Sequence, residues 1–155
     1  MKKLLISLSL GLVLLLGNCL AGNPVKPSGT VSSSAPGTVI VMNEAMFKQK
    51  VFNYGVNKEW KYEGTMPAII DFYADWCGPC RMLSPRVEEI AKQYAGKIVV
   101  YKVNTDDEQV LSQNMGISSL PTLLFIPIKG IPQASMGLVP KATLEKAIRE
   151  VLLIE

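Results

Sequence analysis

The spacing of apolar positions changes several times along this chain, and each change marks an element. Val39 to Met42 is a short apolar stretch, read as an outer strand. Asn43 is a helix cap, and Phe47, Val51 and Tyr54 recur on one face of a helix that ends at Gly55. Asn57 to Thr65 is polar with interspersed aromatics and predicts an exposed loop in which Trp60 and Tyr62 pack locally. Ala68 to Tyr73 (A-I-I-D-F-Y) is a nearly continuous apolar run, the pattern of a central strand covered on both faces. Val87, Ile90, Ala91 and Tyr94 repeat at helical spacing in a helix from Cys77 to Ala95, stopped by Gly96 and kinked at Pro85, which lacks an amide donor.

Ile98 to Val103 is a second apolar strand, and Asp107 to Asn114 a short helix. Thr122 to Ile126 and Pro132 to Met136 are strands joined through a turn at Gly130. Lys141 to Leu153 closes the chain as an amphipathic helix using Leu144, Ala147, Ile148 and Val151. The order is β-α-β-α-β-α-β-β-α, with no internal repeat. Early alternation of strand and helix favours parallel strands, and the final β-β-α adds an antiparallel edge. The fold class is therefore α/β, a central mixed β-sheet flanked by helices on both faces.

The start of the chain follows a different pattern. Met1-Lys2-Lys3 is basic, and Leu4 to Gly17 is apolar apart from Ser7, Ser9 and Gly11. The run is short for a membrane span, shows no polar face at helical spacing, and reads as a secretory signal. Cleavage has two readings. Cys19-Leu20-Ala21 suits a cut before Gly22, giving a signal peptide over residues 1–21. Leu16-Gly17-Asn18-Cys19 resembles a lipoprotein box, giving a signal over residues 1–18 with a lipidated Cys19. Asn18 departs from the small residue usual there, and the first reading is adopted. The product is periplasmic or otherwise exported, and meets the membrane only if Cys19 is lipidated. Residues 22–38 are rich in Pro, Gly, Ser and Thr and poor in apolar side chains, which makes them a flexible linker. Residues 39–155 form the folded domain.

The 155 residues carry 16 basic and 13 acidic side chains. Removing Lys2 and Lys3 leaves 14 basic residues, so the formal charge falls from +3 to +1. Such a near-neutral domain lacks the basic stripe of a nucleic-acid binder. The absence of histidine also excludes a Cys–His hydrolase.

Trp76-Cys77-Gly78-Pro79-Cys80 is the stretch that carries chemistry. A zinc site needs about four ligands, whereas this chain has three cysteines, no histidine and no clustered carboxylates. A purely structural disulfide closing so short a loop would restrict the unfolded chain little. Redox exchange fits better. Cys77 would begin a helix, Pro79 would occupy its first turn, and Cys80 would lie one turn in on the same side. Free N–H groups and the helix dipole favour a thiolate on Cys77, the form that attacks disulfides.

Asp71 has two readings, an exposed position on an edge strand or a buried proton acceptor near Cys80 with its pKa raised by burial. Lys102 is either its partner from the adjacent strand or a solvated surface lysine.

From about Val39 onward the chain resembles the thioredoxin family. The resemblance rests on W-C-G-P-C at Trp76 to Cys80, Asp71 in its strand, Pro85, Lys102, L-P-T at Leu120 to Thr122, Gly130 and Gly137. It implies the thioredoxin fold over residues 39–155 and a protein-disulfide reductase cycling Cys77–Cys80 between dithiol and disulfide. Cys77 would then be the nucleophile, Cys80 the resolving thiol, and Pro121 a cis-proline packed beside them. Trp76, Gly78, Pro79, Leu120, Pro121 and Gly137 would form a docking surface for a substrate chain added as a short strand.

No metal or organic cofactor is expected. The partners would be disulfide-containing proteins and an upstream electron donor, membrane-bound if the compartment is oxidising, and the protein would be a monomer. The same fold acting as an oxidant or isomerase is the near alternative, and a non-catalytic scaffold using the docking surface is the distant one. The expected departures from cytoplasmic members are the leader and the segment Asn57 to Gly64, for which the sequence offers no function.

Overall fold

The computed structural model describes residues 35–154. The expected signal peptide, both cleavage readings and most of the expected linker lie outside the described residues. Among the described residues no helix is long and apolar enough to cross a membrane.

Five strands and four helices follow in the expected order: β1 (Val39–Val41), α1 (Glu44–Lys50), β2 (Ala68–Tyr73), α2 (Gly78–Gln93), β3 (Val99–Asn104), α3 (Gln109–Asn114), β4 (Thr122–Ile126), β5 (Gln133–Met136) and α4 (Lys141–Val151). The sheet order is β1-β3-β2-β4-β5. β3 is parallel to both β1 and β2, while β4 runs antiparallel to both β2 and β5. β2 is thus the strand where the parallel and antiparallel halves of the sheet meet, and its first five residues are buried.

Alternation along the central strands divides the core between the two faces. Ile69, Val100, Leu123 and Phe125 meet Leu83, Val87 and Ile90 of α2 and Leu144 and Ile148 of α4. Ile70, Phe72, Val103, Leu124 and Ile126 meet Met42, Phe47 and Leu111 on the other side. Asp71 lies between Ile70 and Phe72, so its side chain falls on the α2 face, at a position where the alternation calls for an aliphatic residue. At the far end of α2, a β-carbon added to Gly37 would lie 3.1 Å from Ala95 and 3.3 Å from the Ala91 carbonyl, so the chain entering β1 lies against the C-terminal end of that helix.

Two local expectations change. Asn43 caps α1, its side chain accepting from the Met46 N–H at 2.9 Å, but the helix stops at Lys50 and does not reach Tyr54. The Val51 carbonyl accepts from the Glu63 N–H at 2.9 Å, a partner from the returning segment that takes the place of the next helical turn. For the same reason residues 57–65 are more than an exposed loop. Trp60 and Tyr62 pack on the α1-side core, Trp60 meets Phe52 in a tilted ring contact with centres 4.8 Å apart, and the Tyr62 hydroxyl donates to the Met66 carbonyl at 2.6 Å. α2 runs through Pro85 as one helix.

Candidate active site

β2 ends at Tyr73, and four residues later the chain starts α2 with a sulfur. Cys77 is the N-cap, in extended conformation, and its Sγ accepts from the Cys80 N–H at 3.2 Å. A side-chain acceptor is what the unpaired amides of a helix start require, and here cysteine supplies it. Gly78 and Pro79 occupy the first turn, where proline's missing donor costs nothing. Cys77 and Cys80 are joined as a disulfide, with S–S 1.99 Å and Cα–Cα 5.3 Å. Both are buried, packed with Ala74 and against half-buried Tyr73 and Leu120.

The L-P-T stretch comes to the same place from the other half of the sheet. Leu120-Pro121 is a cis peptide, and the Pro121 carbonyl accepts from the Gly137 N–H at 2.8 Å, which ties the end of β5 to the start of β4. Leu120 touches the cysteine cluster directly. Trp76 is 70% exposed, and its indole N–H donates to Asp106 Oδ2 at 2.9 Å. Pro79 and, one turn further along α2, Met82 are also exposed, so an apolar surface flanks the sulfurs.

Asp71 is 3% exposed, which excludes the edge-strand reading. No donor among the described residues reaches its Oδ1. Burial pushes its carboxyl up to about 7, against a partial downward pull from Lys102. Lys102 pairs with Asp71 in register across β2 and β3, and its Nζ sits 5.7 Å from the centre of the Tyr73 ring. Asp71 and Lys102 also line one small cavity with Val39, Ser84, Val87 and Glu88. The Ser84 hydroxyl donates to the Cys80 carbonyl at 3.1 Å, which connects the cavity wall to the Cys80 backbone.

Sequence reasoning missed Ser84, Glu88, Tyr73 and Asp106. A signal existed for the first two, because Cys80, Ser84 and Glu88 recur every fourth residue and share a helix face. None existed for Asp106, which meets Trp76 through a loop 30 residues away. Among the described residues no group of three or more His, Cys, Asp or Glu side chains is placed to hold a metal ion.

A buried carboxylate on the α2 face of β2 and a disulfide at the start of α2 suit exchange of electron pairs between sulfurs. Known proteins are similar over most of the chain. The thioredoxin family model matches residues 38–150. A thioredoxin from Borreliella burgdorferi is 50% identical over 111 residues, covering 72% of this chain and 95% of that protein. An M-type chloroplastic thioredoxin from Spinacia oleracea is 38% identical over 131 residues, covering 81% and 72%. Among solved structures, a mutant thioredoxin from Halobacterium salinarum superposes with a TM-score of 0.62 at 26% identity, covering 79% of this chain and 98% of that one. By the family model and these relatives, this chain belongs to the thioredoxin family.

Proposed function

We propose that this protein is a protein-disulfide reductase of the cell envelope, with Cys77 attacking, Cys80 resolving and Asp71 accepting the resolving proton. The observation that carries the reaction is the Cys77–Cys80 disulfide at the start of α2, with Asp71 buried on the α2 face of the neighbouring strand. In the dithiol form the α2 amides and dipole favour a Cys77 thiolate. It attacks one sulfur of a substrate disulfide, forming a mixed disulfide and expelling the other sulfur as a thiolate. Cys80 then loses its proton to Asp71 and attacks Cys77 Sγ. The Cys77–Cys80 bond forms, the substrate's second sulfur leaves, and two electrons have passed to the substrate. A donor must return two electrons to close the cycle.

Docking is assigned to Trp76, Gly78, Pro79, Leu120, Pro121 and Gly137, with the substrate lying as an extended strand. Export rests on the basic start, the apolar run and the linker, all of which precede the family match at residue 38. In an oxidising envelope the donor would be membrane-bound.

Insulin-disulfide reduction tests the reaction. Cys77→Ser should abolish it, and Cys80→Ser should accumulate mixed disulfides with insulin. Equal trapping by both variants would remove the division of labour. The reduction potential of the Cys77–Cys80 couple separates reductant from oxidant. A value near about −270 mV fits a reductant, and one near about −120 mV an oxidant.

A further inference from the structure

The cavity that Asp71 shares with Val39, Ser84, Val87, Glu88 and Lys102 measures about 30 Å³. That is room for one water, which needs roughly 10–15 Å³ and two to four polar partners. The walls supply such partners. Asp71 Oδ1 is buried and meets no donor among the described residues. A carboxylate oxygen in that state favours the protonated form. The Ser84 hydroxyl uses its hydrogen on the Cys80 carbonyl, the i−4 bond common for serine in helices, so its oxygen can accept a second bond. Lys102 adds a donor from β3.

We propose that this cavity is a single-water site and that Ser84 is its positioning residue. The water donates one hydrogen to Asp71 Oδ1 and the other to Ser84 Oγ, and so stabilises the Asp71 carboxylate that must exist before the Cys80 proton can be taken up. The proposal rests on Asp71 being the proton acceptor of resolution. In that step the Cys80 S–H bond breaks, the proton ends on Asp71, and the sulfur's electron pair forms the bond to Cys77. The charged and titratable groups around Asp71 are Lys102 on β3, Glu88 on α2, Tyr73 on its own strand and, in the reduced protein, the Cys80 thiol. Of these, Lys102 is the one that favours the carboxylate, and it only partly offsets burial, which leaves room for a hydrogen bond from water to act.

The test is a titration of the Asp71 carboxyl carbon by NMR in the full oxidised chain, with the resolving rate measured alongside. Ser84→Ala removes the acceptor that holds the water and should raise the Asp71 midpoint by about one pH unit, the worth of the water's hydrogen bond to a charged group. It should also slow resolution several-fold at pH 7. Ser84→Thr keeps the hydroxyl and should restore both. If Ser84 serves only the helix through the Cys80 carbonyl, Ser84→Ala lowers thermal stability while the midpoint stays or falls, and that result overturns the proposal. A raised midpoint in Ser84→Ala, combined with an unaltered resolving rate in Asp71→Asn, would uphold the water site while removing Asp71 from the mechanism.

Discussion

Asp71 and Lys102 stand opposite each other in register across β2 and β3, and burial outweighs the lysine in setting the charge of the aspartate. In the unfolded chain this carboxyl titrates near 3.8, and in the fold near 7. Well below pH 3.8 both states hold the proton and the fold bears no penalty. Between those values the folded protein keeps a proton that the unfolded chain has lost, so stability falls as pH rises. Above about pH 7 the penalty is complete, at about 4 kcal/mol. Asp71→Asn should therefore stabilise the oxidised protein by up to that amount at pH 9 and by little at pH 4. Urea unfolding at both values checks this, and parallel pH profiles for the two proteins would contradict it.

The same substitution should impair one chemical step. Removing a positioned proton acceptor costs about a hundredfold where proton transfer limits the rate. With Asp71→Asn, attack by Cys77 should keep its rate, while resolution of the mixed disulfide slows and loses its inflection near pH 7. Stopped-flow kinetics resolve the two steps. An unchanged resolution rate across neutral pH excludes Asp71 as the acceptor.

Asp106 should govern the exposed indole beside the disulfide. Asp106→Ala removes the 2.9 Å bond from Trp76 and should raise the mobility of that side chain, seen as lower fluorescence anisotropy in a Trp60→Phe background. Global stability should change by less than about 1 kcal/mol, because the bond is exposed. The KM for insulin should rise while kcat holds. A kcat effect alone would place Trp76 outside docking.

Gly64→Ala probes the segment that ends α1 early. An added Cβ would collide with the Tyr62 ring and hydroxyl, which is anchored to the Met66 carbonyl. Overpacking of this kind costs about 1–3 kcal/mol. The unfolding free energy should fall by that amount, with insulin reduction retained. No change would mean that Tyr62 moves aside freely.

If the protein is exported as proposed, Cys19 decides the form of the exported product. A cut after Ala21 discards it, whereas lipidation would make it the first residue and add acyl chains worth about 0.8 kcal/mol per buried CH₂. The intact mass of the protein from its native host should correspond to an N-terminus at Gly22 without lipid. An acylated Cys19 would overturn that expectation.

The sequence made the sheet and the cysteines legible because both are local signals. A-I-I-D-F-Y announces a covered strand, and Cys-Gly-Pro-Cys announces a helix start. The end of α1 was not legible, since it depends on an amide at Glu63, and no periodicity encodes a contact 12 residues away. The two readings of Asp71 separated only once β2 had neighbours on both sides. Trp60 read as locally packed because its surroundings in sequence are polar, yet it shares the core with Phe52. The spacing of Ser84 from Cys80 was legible as a shared helix face, but the cavity that its hydroxyl lines was not.

Gly37 lies against Ala91 and Ala95, while Cys77 caps the other end of the same helix. The 16 residues of α2 span about 24 Å at 1.5 Å per residue. Chain entering the fold from the N-terminal side therefore arrives at the pole away from the sulfurs. A restraint applied at Gly37 therefore grips the fold at the end of α2 opposite the disulfide. Immobilisation through this end should preserve turnover, and bulk attached there need not shade the working face.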